Sequence, residues 1–227
     1  LQRGIVKQVL SGDTVVIRGQ PRNGPPPERT LCLSNVTAPR LARRPNPNIE
    51  QQERDQKDEP FAWEAREFLR KKVIGKEVTF TVEYKPPAAG REYGFIYLGK
   101  DTTAENITET MVAEGLVELR RREIKSTGED DKQPLLCGLE DAAKAAGKGK
   151  WAAPEEAAKH VRSINWTHDN LSHLVDSYHK KPVDAVIEHV RDGCTVRAFL
   201  LPSMDYVTVM LSGIKCPMFK IESDGKS

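Results

Sequence analysis

Long apolar runs, closely paired cysteines and zinc-type histidine spacings are all missing from this sequence of 227 residues. No apolar stretch approaches the roughly 20 residues that a membrane-spanning helix needs, so we expect no membrane contact. The four cysteines show no Cys-x-x-Cys spacing and the five histidines match no metal template, which argues against a zinc module. We therefore expect reduced cysteines in an intracellular protein.

Basic residues are clustered although the net charge is only +2. The clusters are Arg40, Arg43 and Arg44; Arg66, Arg70, Lys71 and Lys72; Arg120, Arg121 and Arg122; and Lys144, Lys148 and Lys150. Basic surfaces on a nearly neutral chain permit phosphate binding without requiring it. The alternative is that these side chains form the solvated faces of helices.

Two motifs occur twice, in the same order and at nearly the same offset. Leu-Ser-Gly-Asp-Thr-Val-Val at 10–16 returns as Arg-Asp-Gly-Cys-Thr-Val-Arg at 191–197. Leu-Ser-Asn-Val-Thr-Ala-Pro at 33–39 returns as Leu-Ser-Gly-Ile-Lys-Cys-Pro at 211–217. Such matched landmarks indicate one unit used twice. Only the first copy has an acidic residue between the glycine and the threonine, so we expect the second copy to have lost its chemistry.

The repeat predicts two domains. We assign residues 1–151 to the first domain, 152–181 to a packed connector and 182–227 to the start of a second, incomplete domain. The connector contains aromatic and apolar residues, so we expect it to pack against other parts of the chain and not to form a flexible polar linker. The chain begins without methionine, and we expect it to be an N-terminal fragment of a longer protein.

The elements of the first domain predict an α+β fold. Strands are expected within 4–18 (two, around a turn at 11–13), 29–36, 76–83 and 92–98. Helices are expected over 60–75, after Asn106 as N-cap, and over 134–146. Five strands with a helix after the third and more at the end describe a five-stranded OB-fold barrel with flanking helices.

The first predicted helix has an apolar stripe of Phe61, Ala65, Phe68, Leu69 and Val73. We expect its arginines and lysines to face away from that stripe. The start of the helix has a second interpretation. Phe61 and Trp63 could form exposed apolar surface there, although burial in the core is the default for such side chains.

Several ordered motifs together resemble the staphylococcal nuclease fold. They are Gly-Asp-Thr-Val at 12–15, Leu-x-x-Val-x-x-Pro at 33–39, Gly-Arg-x-Tyr-Gly at 90–94, Met-Val-x-x-Gly-Leu at 111–116 and Trp151 after a Lys/Ala-rich helix. The doubled arrangement resembles the Tudor-SN family, whose members have tandem nuclease-like repeats. The resemblance implies an intracellular, RNA-associated protein of the cytoplasm, nucleus and RNA or stress granules. It also implies links to RNA silencing and RISC, to small-RNA decay and to transcriptional coactivation.

The nuclease mechanism that the resemblance implies uses two aspartates to hold Ca²⁺, a glutamate base and two arginines that stabilise the transition state. The first aspartate corresponds to Asp13 and the second arginine to Arg91. The other three positions hold Thr37, Arg40 and Cys32, with Arg29 a displaced substitute for the last. Cys194 and Lys215 replace the two aspartates in the second copy. Since loss of a general base costs about 10²–10⁴-fold, we expect the fragment alone to be an inefficient nuclease.

Each candidate residue also has a structural alternative. Asp13 is either a weak Ca²⁺ ligand or a turn residue. Arg91 either binds phosphate or pairs with Glu92 or Glu83. The predicted nucleic-acid-binding residues are Arg40, Arg43, Arg44, Arg91, Lys71 and Lys72. A partner groove between the repeats is predicted to be walled by Trp166 and Tyr178; interdomain packing is the alternative for these rings.

Three functions follow from these observations. The first is a scaffold that needs no cofactor, binds single- or double-stranded RNA and small RNAs, and docks RNA-silencing and other proteins in the inter-repeat groove. The second is a Ca²⁺-dependent endoribonuclease that hydrolyses phosphodiesters with Asp13 and Arg91. The third is a protein-interaction module or transcriptional coactivator without RNA binding.

Overall fold

The computed structural model describes residues 1–46, 48, 56–120 and 132–217. The chain divides into two compact units, the first comprising 1–43 and 51–161 and the second 44–50 and 162–227. The predicted connector, 152–181, is therefore shared between the units, and the domain boundaries assigned from sequence stay predictions. Within the described ranges, none of the helices has the length and apolar character needed to cross a bilayer.

The first unit alternates short strands with three main helices. Its elements are β1 (Gln2–Ser11), β2 (Thr14–Arg18), β3 (Glu28–Leu33), β4 (Val36–Thr37), α1 (Ala62–Val73), β5 (Glu77–Phe80), β6 (Glu92–Gly94), β7 (Ile96–Leu98), β8 (Glu105–Asn106), α2 (Ile107–Ala113), β9 (Glu118–Leu119), α3 (Gln133–Ala146) and α4 (Pro154–Ala157). The Asn106 side chain caps α2 by accepting the Thr108 N–H at 3.0 Å, as the sequence predicts.

One bent strand closes the barrel. The sheet order is β6-β3-β2-β1-β5-β7-β8. β6 pairs with β3 in parallel and β7 pairs with β5 antiparallel, so the segment 92–98 connects the two sides of the β3-β2-β1-β5 sheet. Gly94 lies at the bend, where a Cβ would come 1.8 Å from the Thr81 carbonyl oxygen. β1, β2, β3, β5 and the bent strand form the five-stranded OB barrel, which confirms the predicted α+β class.

Helix α1 covers one side of the barrel with its apolar stripe. Ala65, Leu69 and Val73 are fully buried in the core. Phe61 is also buried and stacks on His160 with 4.0 Å between the ring centroids, so it does not form exposed surface. The prediction that the basic residues of α1 face away is wrong for Arg66, which is only 4% exposed.

The buried charge of Arg66 is balanced within α1. Its guanidinium lies 4.5 Å from the ring centroid of Trp63 and 3.2 Å from Glu67. Burial alone would raise the pKa of Glu67, but the hydrogen bond and charge of Arg70, together with Arg66, lower it below its ordinary value. An arginine that is paired with a carboxylate can therefore lie on the core-facing side of an amphipathic helix.

The second unit contains α5 (Leu171–Ser177) and a three-stranded antiparallel sheet of β10 (Ala185–Val190), β11 (Thr195–Leu200) and β12 (Asp205–Met210). Trp166 packs edge-on against Phe199 and Tyr206, with ring centroids 5.8 and 5.3 Å away. The buried carboxylate of Asp205 accepts hydrogen bonds from Asn165 at 2.9 Å and Ser203 at 2.5 Å. These contacts tie the segment before α5 to the sheet.

Candidate functional site

The Asp13 side chain braces the turn between β1 and β2. Its Oδ1 accepts hydrogen bonds from the hydroxyls of Ser11 at 2.6 Å and Thr14 at 2.8 Å, and its Oδ2 accepts the backbone N–H of Ala38 at 2.9 Å. Its backbone carbonyl accepts the N–H of Leu33 at 2.7 Å. Oδ1 therefore closes the turn on itself, and Oδ2 holds the turn to the segment after β4. This geometry matches the turn-residue alternative, and a metal role for Asp13 stays a prediction.

Gly12 lets the same turn lie against α1. A Cβ at this position would come 2.7 Å from the Cβ of Ala65 and 3.1 Å from that of Ala38. These are closer than side-chain carbons pack. The glycine thus fixes the distance between the turn, the helix and the loop that follows β4.

An arginine contacts the position that the resemblance gives to the second metal-binding aspartate. Strand β4 pairs with β9 through Val36 and Leu119. This pairing places Arg120, the residue after β9, so that its Nε donates to Thr37 Oγ1 at 2.6 Å. Its guanidinium carbon lies 5.4 Å from the ring centroid of Tyr93. A fixed cation supported by an aromatic ring therefore lies beside Thr37.

An ion pair joins the neighbouring strands β3 and β6. The guanidinium of Arg29 binds Glu92 in a bidentate manner, with N···O distances of 2.7 and 2.9 Å, and Lys85 lies 3.3 Å from the same carboxylate. The hydrogen bond from Arg29 is the main reason that the pKa of Glu92 is lowered. Glu92 thus binds Arg29 and Lys85, whereas Arg91 lies exposed beside it at the start of β6.

The basic cluster after β4 is partly neutralised. The backbone N–H of Arg40 donates to Glu59 Oε2 at 2.7 Å, and its guanidinium lies 3.6 Å from the same carboxylate. Arg43 is exposed in the first unit. Arg44 belongs to the second unit, where its guanidinium carbon lies 5.5 Å from the Tyr206 ring centroid. The three arginines of this cluster, all predicted to bind RNA, thus have different surroundings.

Lys71 and Lys72 lie at the far end of α1 from the Asp13 turn. Ala65 contacts that turn, and Lys72 follows about 10 Å further along the helix axis. Lys71 is exposed, whereas Lys72 pairs with Glu105 at 2.8 Å. The structure therefore does not bring these lysines to the Thr37–Arg120 contact.

The two rings predicted to wall a groove take part in packing within the second unit. Trp166 contacts Phe199 and Tyr206, as described above, and the Tyr178 hydroxyl lies 3.5 Å from Asp205 Oδ2. Both side chains are half-buried. A partner groove between the repeats stays a prediction.

Sequence reasoning missed Arg120 and Tyr93 as members of the site. The signal for Tyr93 was the Gly-Arg-x-Tyr-Gly motif at 90–94. The signal for Arg120 was the basic cluster that begins there; its other members, Arg121 and Arg122, lie outside the described residues. Arg120 and Thr37 are 83 positions apart. Their contact depends on the pairing of two strands of two residues each, which carry no detectable sequence pattern.

The barrel, its helices and the braced turn define a nuclease-like OB-fold domain. A family model described as "Staphylococcal nuclease homologue" matches residues 30–153. The chain therefore belongs to the staphylococcal nuclease homologue family.

Known relatives are similar in sequence to this chain over almost its whole length. Staphylococcal nuclease domain-containing protein 1 of Drosophila melanogaster is 57% identical over 98% of this chain and 23% of its own length. Ribonuclease TUDOR 2 and Ribonuclease TUDOR 1 of Arabidopsis thaliana are 39% and 38% identical over 95% of this chain, and over 22% and 21% of their own lengths. The likeness to the Tudor-SN family is thereby confirmed, and the chain spans less than a quarter of these relatives.

Proposed function

We propose that the first unit binds RNA through its phosphate backbone, without a metal ion, at the surface formed by Thr37, Tyr93 and Arg120. The observation that carries this proposal is the position of Arg120. Its guanidinium lies 2.6 Å from the side chain that stands in place of a metal-binding aspartate. A cation on a neutral hydroxyl attracts phosphate, whereas two carboxylates would attract Ca²⁺.

The surroundings of Arg120 support phosphate binding. Tyr93 lies under the guanidinium and is half-buried, so the arginine is held in one orientation. The Arg120 Nε donates to Thr37 Oγ1. Among the described residues, this leaves the two terminal nitrogens of the guanidinium to donate to phosphate oxygens. Arg91 and Arg43 are exposed on the same unit and can add further phosphate contacts.

The test is the binding of a labelled single-stranded RNA by the 227-residue chain, measured by fluorescence anisotropy over a range of salt concentrations in Ca²⁺ and in EDTA. We expect affinity that falls steeply with salt and is the same in both buffers. Arg120→Ala should weaken binding about fivefold and reduce the salt slope by about 1.

A matched control is Arg22→Ala. Arg22 is also an exposed arginine of the first unit, but it lies between β2 and β3, at the end of these strands away from the Asp13 turn. It should leave affinity nearly unchanged. Equal losses for both variants would mean that binding follows overall charge and not this surface, and the proposal would be wrong.

A Ca²⁺-dependent ribonuclease is the second candidate, because two relatives are named ribonucleases and Asp13 and Arg91 are both present. RNA cleavage that requires Ca²⁺ and disappears in Asp13→Asn would support it. Thr37→Asp combined with Arg120→Ala supplies a second carboxylate and removes the competing cation. We expect this pair of changes to strengthen Ca²⁺ binding relative to the wild-type chain.

In its relatives, the region similar to this chain is part of a longer protein. For a longer protein of that kind we propose a role as an RNA-binding scaffold in RNA silencing, small-RNA decay and RNA granules, in cytoplasm and nucleus. The support is the 57% identity to a staphylococcal nuclease domain-containing protein. Docking of silencing proteins or transcription factors at the repeats belongs to the same proposal. Affinity capture from cells by the wild-type chain, compared with Arg120→Ala, separates RNA-bridged partners from direct ones.

A further inference from the structure

Two cysteines that are 22 positions apart meet in the second unit. Cys194 follows β10 in the turn to β11, and Cys216 lies in the segment after β12. Their Sγ atoms are 3.2 Å apart, and both thiols are free and half-buried. Asp192 Oδ1 lies 3.5 Å from the Cys216 sulfur and accepts the backbone N–H of Cys194 at 2.9 Å. In the described part of the chain, these three form the only such group of donor atoms, all within 4.8 Å of one another.

Backbone contacts hold the two segments together. The N–H of Leu211 donates to the Cys194 carbonyl at 2.8 Å, which anchors the end of β12 to the turn. Gly193 lies so close to the second segment that a Cβ there would be 2.9 Å from the Cys216 Cβ. The donor atoms are therefore brought together by fixed backbone, and not by long flexible side chains.

We propose that Asp192, Cys194 and Cys216 bind a thiophilic divalent cation, of which Zn²⁺ is the biological example. Two thiolates at about 2.3 Å and one carboxylate at about 2.0–2.2 Å are typical zinc ligands, and water can take the fourth tetrahedral position. The sulfurs would separate to about 3.8 Å, the edge of such a tetrahedron. Binding releases the two thiol protons to solvent, so the cation replaces two protons and no oxidant is needed.

The charge around the sulfurs favours a cation. The Asp192 carboxylate lies 3.5 Å from the Cys216 sulfur, so a negative charge stands beside the two thiols. Two thiolates next to that carboxylate would repel it and one another unless a positive charge is present. A divalent cation supplies that charge and is itself attracted by the carboxylate.

The test titrates the fully reduced 227-residue chain with Cd²⁺, which reports thiolate ligation by an ultraviolet charge-transfer band, and then competes Cd²⁺ with Zn²⁺. We expect one Cd²⁺ per chain. Cys194→Ser and Cys216→Ser should each abolish the band, and Asp192→Asn should weaken binding roughly tenfold or more. Circular dichroism checks that each variant keeps its fold.

The other two cysteines supply matched controls. Cys32 is buried in the first unit and Cys137 is exposed on α3, so Cys32→Ser and Cys137→Ser should leave the band unchanged. The proposal is wrong if the reduced chain shows no band, or if the band is lost in Cys137→Ser. It is also wrong if Cys194 and Cys216 form a disulfide in air and the reduced chain takes up no cation.

Discussion

The two turns that carry the repeated motif share a backbone contact but differ in the side chains that it holds. In the first turn the N–H of Leu33 donates to the Asp13 carbonyl at 2.7 Å, and in the second the N–H of Leu211 donates to the Cys194 carbonyl at 2.8 Å. The tandem repeat itself stays a prediction. The comparison shows that the same backbone contact can hold turns with different side chains at the tip.

The carboxylate of the second turn, that of Asp192, stands two positions earlier in the motif than the carboxylate of Asp13 in the first turn. In the first motif Ser11 donates its hydroxyl to the carboxylate of Asp13. In the second, Asp192 stands at the position of Ser11 and accepts the N–H of Cys194, which stands at the position of Asp13. The first turn is thus closed by hydrogen bonds between its own oxygens. The second turn contains a carboxylate and one sulfur, and it contacts a second sulfur, that of Cys216, from the segment after β12.

The largest expected difference between the two turns is in how much each one contributes to the free energy of unfolding. Asp13→Ala removes the acceptor for three donors, and we expect it to cost about 2–3 kcal/mol of unfolding free energy. Cys194→Ala removes only weak sulfur contacts and should cost less. Urea denaturation gives the total change, and hydrogen exchange at the Ala38 amide locates it. Equal losses in the two variants would mean that the turns are braced alike.

Glycine substitutions should sharpen the same contrast. Gly12→Ala brings a methyl group to 2.7 Å from Ala65 on a packed helix, so we expect a loss of about 1–3 kcal/mol. Gly193→Ala meets only Cys216, in a segment at the end of a strand, and should cost less. Thermal unfolding of both variants measures this difference. A larger loss for Gly193→Ala would contradict it.

A smaller effect is expected on RNA affinity. Thr37→Asp places a carboxylate against Arg120 and should weaken RNA binding about threefold to fivefold, near 1 kcal/mol, by pairing with the guanidinium. Thr37→Ser keeps the hydroxyl acceptor and should bind as the wild type does. Anisotropy titrations of both variants provide the comparison. Stronger binding by Thr37→Asp would show that Arg120 does not contact RNA.

The smallest expected effect is a pH dependence in the second unit. Burial would raise the pKa of Asp205, but hydrogen bonds from Ser203 and Asn165 and the charge of His168 lower it below 3.8. The stabilisation is therefore complete above that ordinary value and is lost as the pH falls through the lowered one. Asp205→Asn should flatten this part of the acid unfolding curve. A curve of unchanged shape would contradict the assignment.

Hydrophobic alternation and turn residues were sufficient to predict the barrel strands and the three main helices. The sequence pattern predicts one strand over 92–98, whereas the structure divides it at Phe95, directly after Gly94. The division follows from closing the barrel, a constraint that local pattern does not contain. The buried position of Arg66 was missed for a similar reason. Its burial depends on Trp63 and Glu67, and only their three-dimensional arrangement makes a buried charge tolerable.

The sequence by itself determined the class of fold and the family likeness, whereas the loss of three of the five nuclease side chains stays a prediction from the resemblance. These depend on local periodicity and on motif order, which a linear sequence contains. Tertiary structure alone decided that Arg120 contacts Thr37 and that Cys216 contacts Cys194. Each pair is joined through main-chain contacts between distant segments, and the side chains meet only because the backbone brings them within a few ångströms.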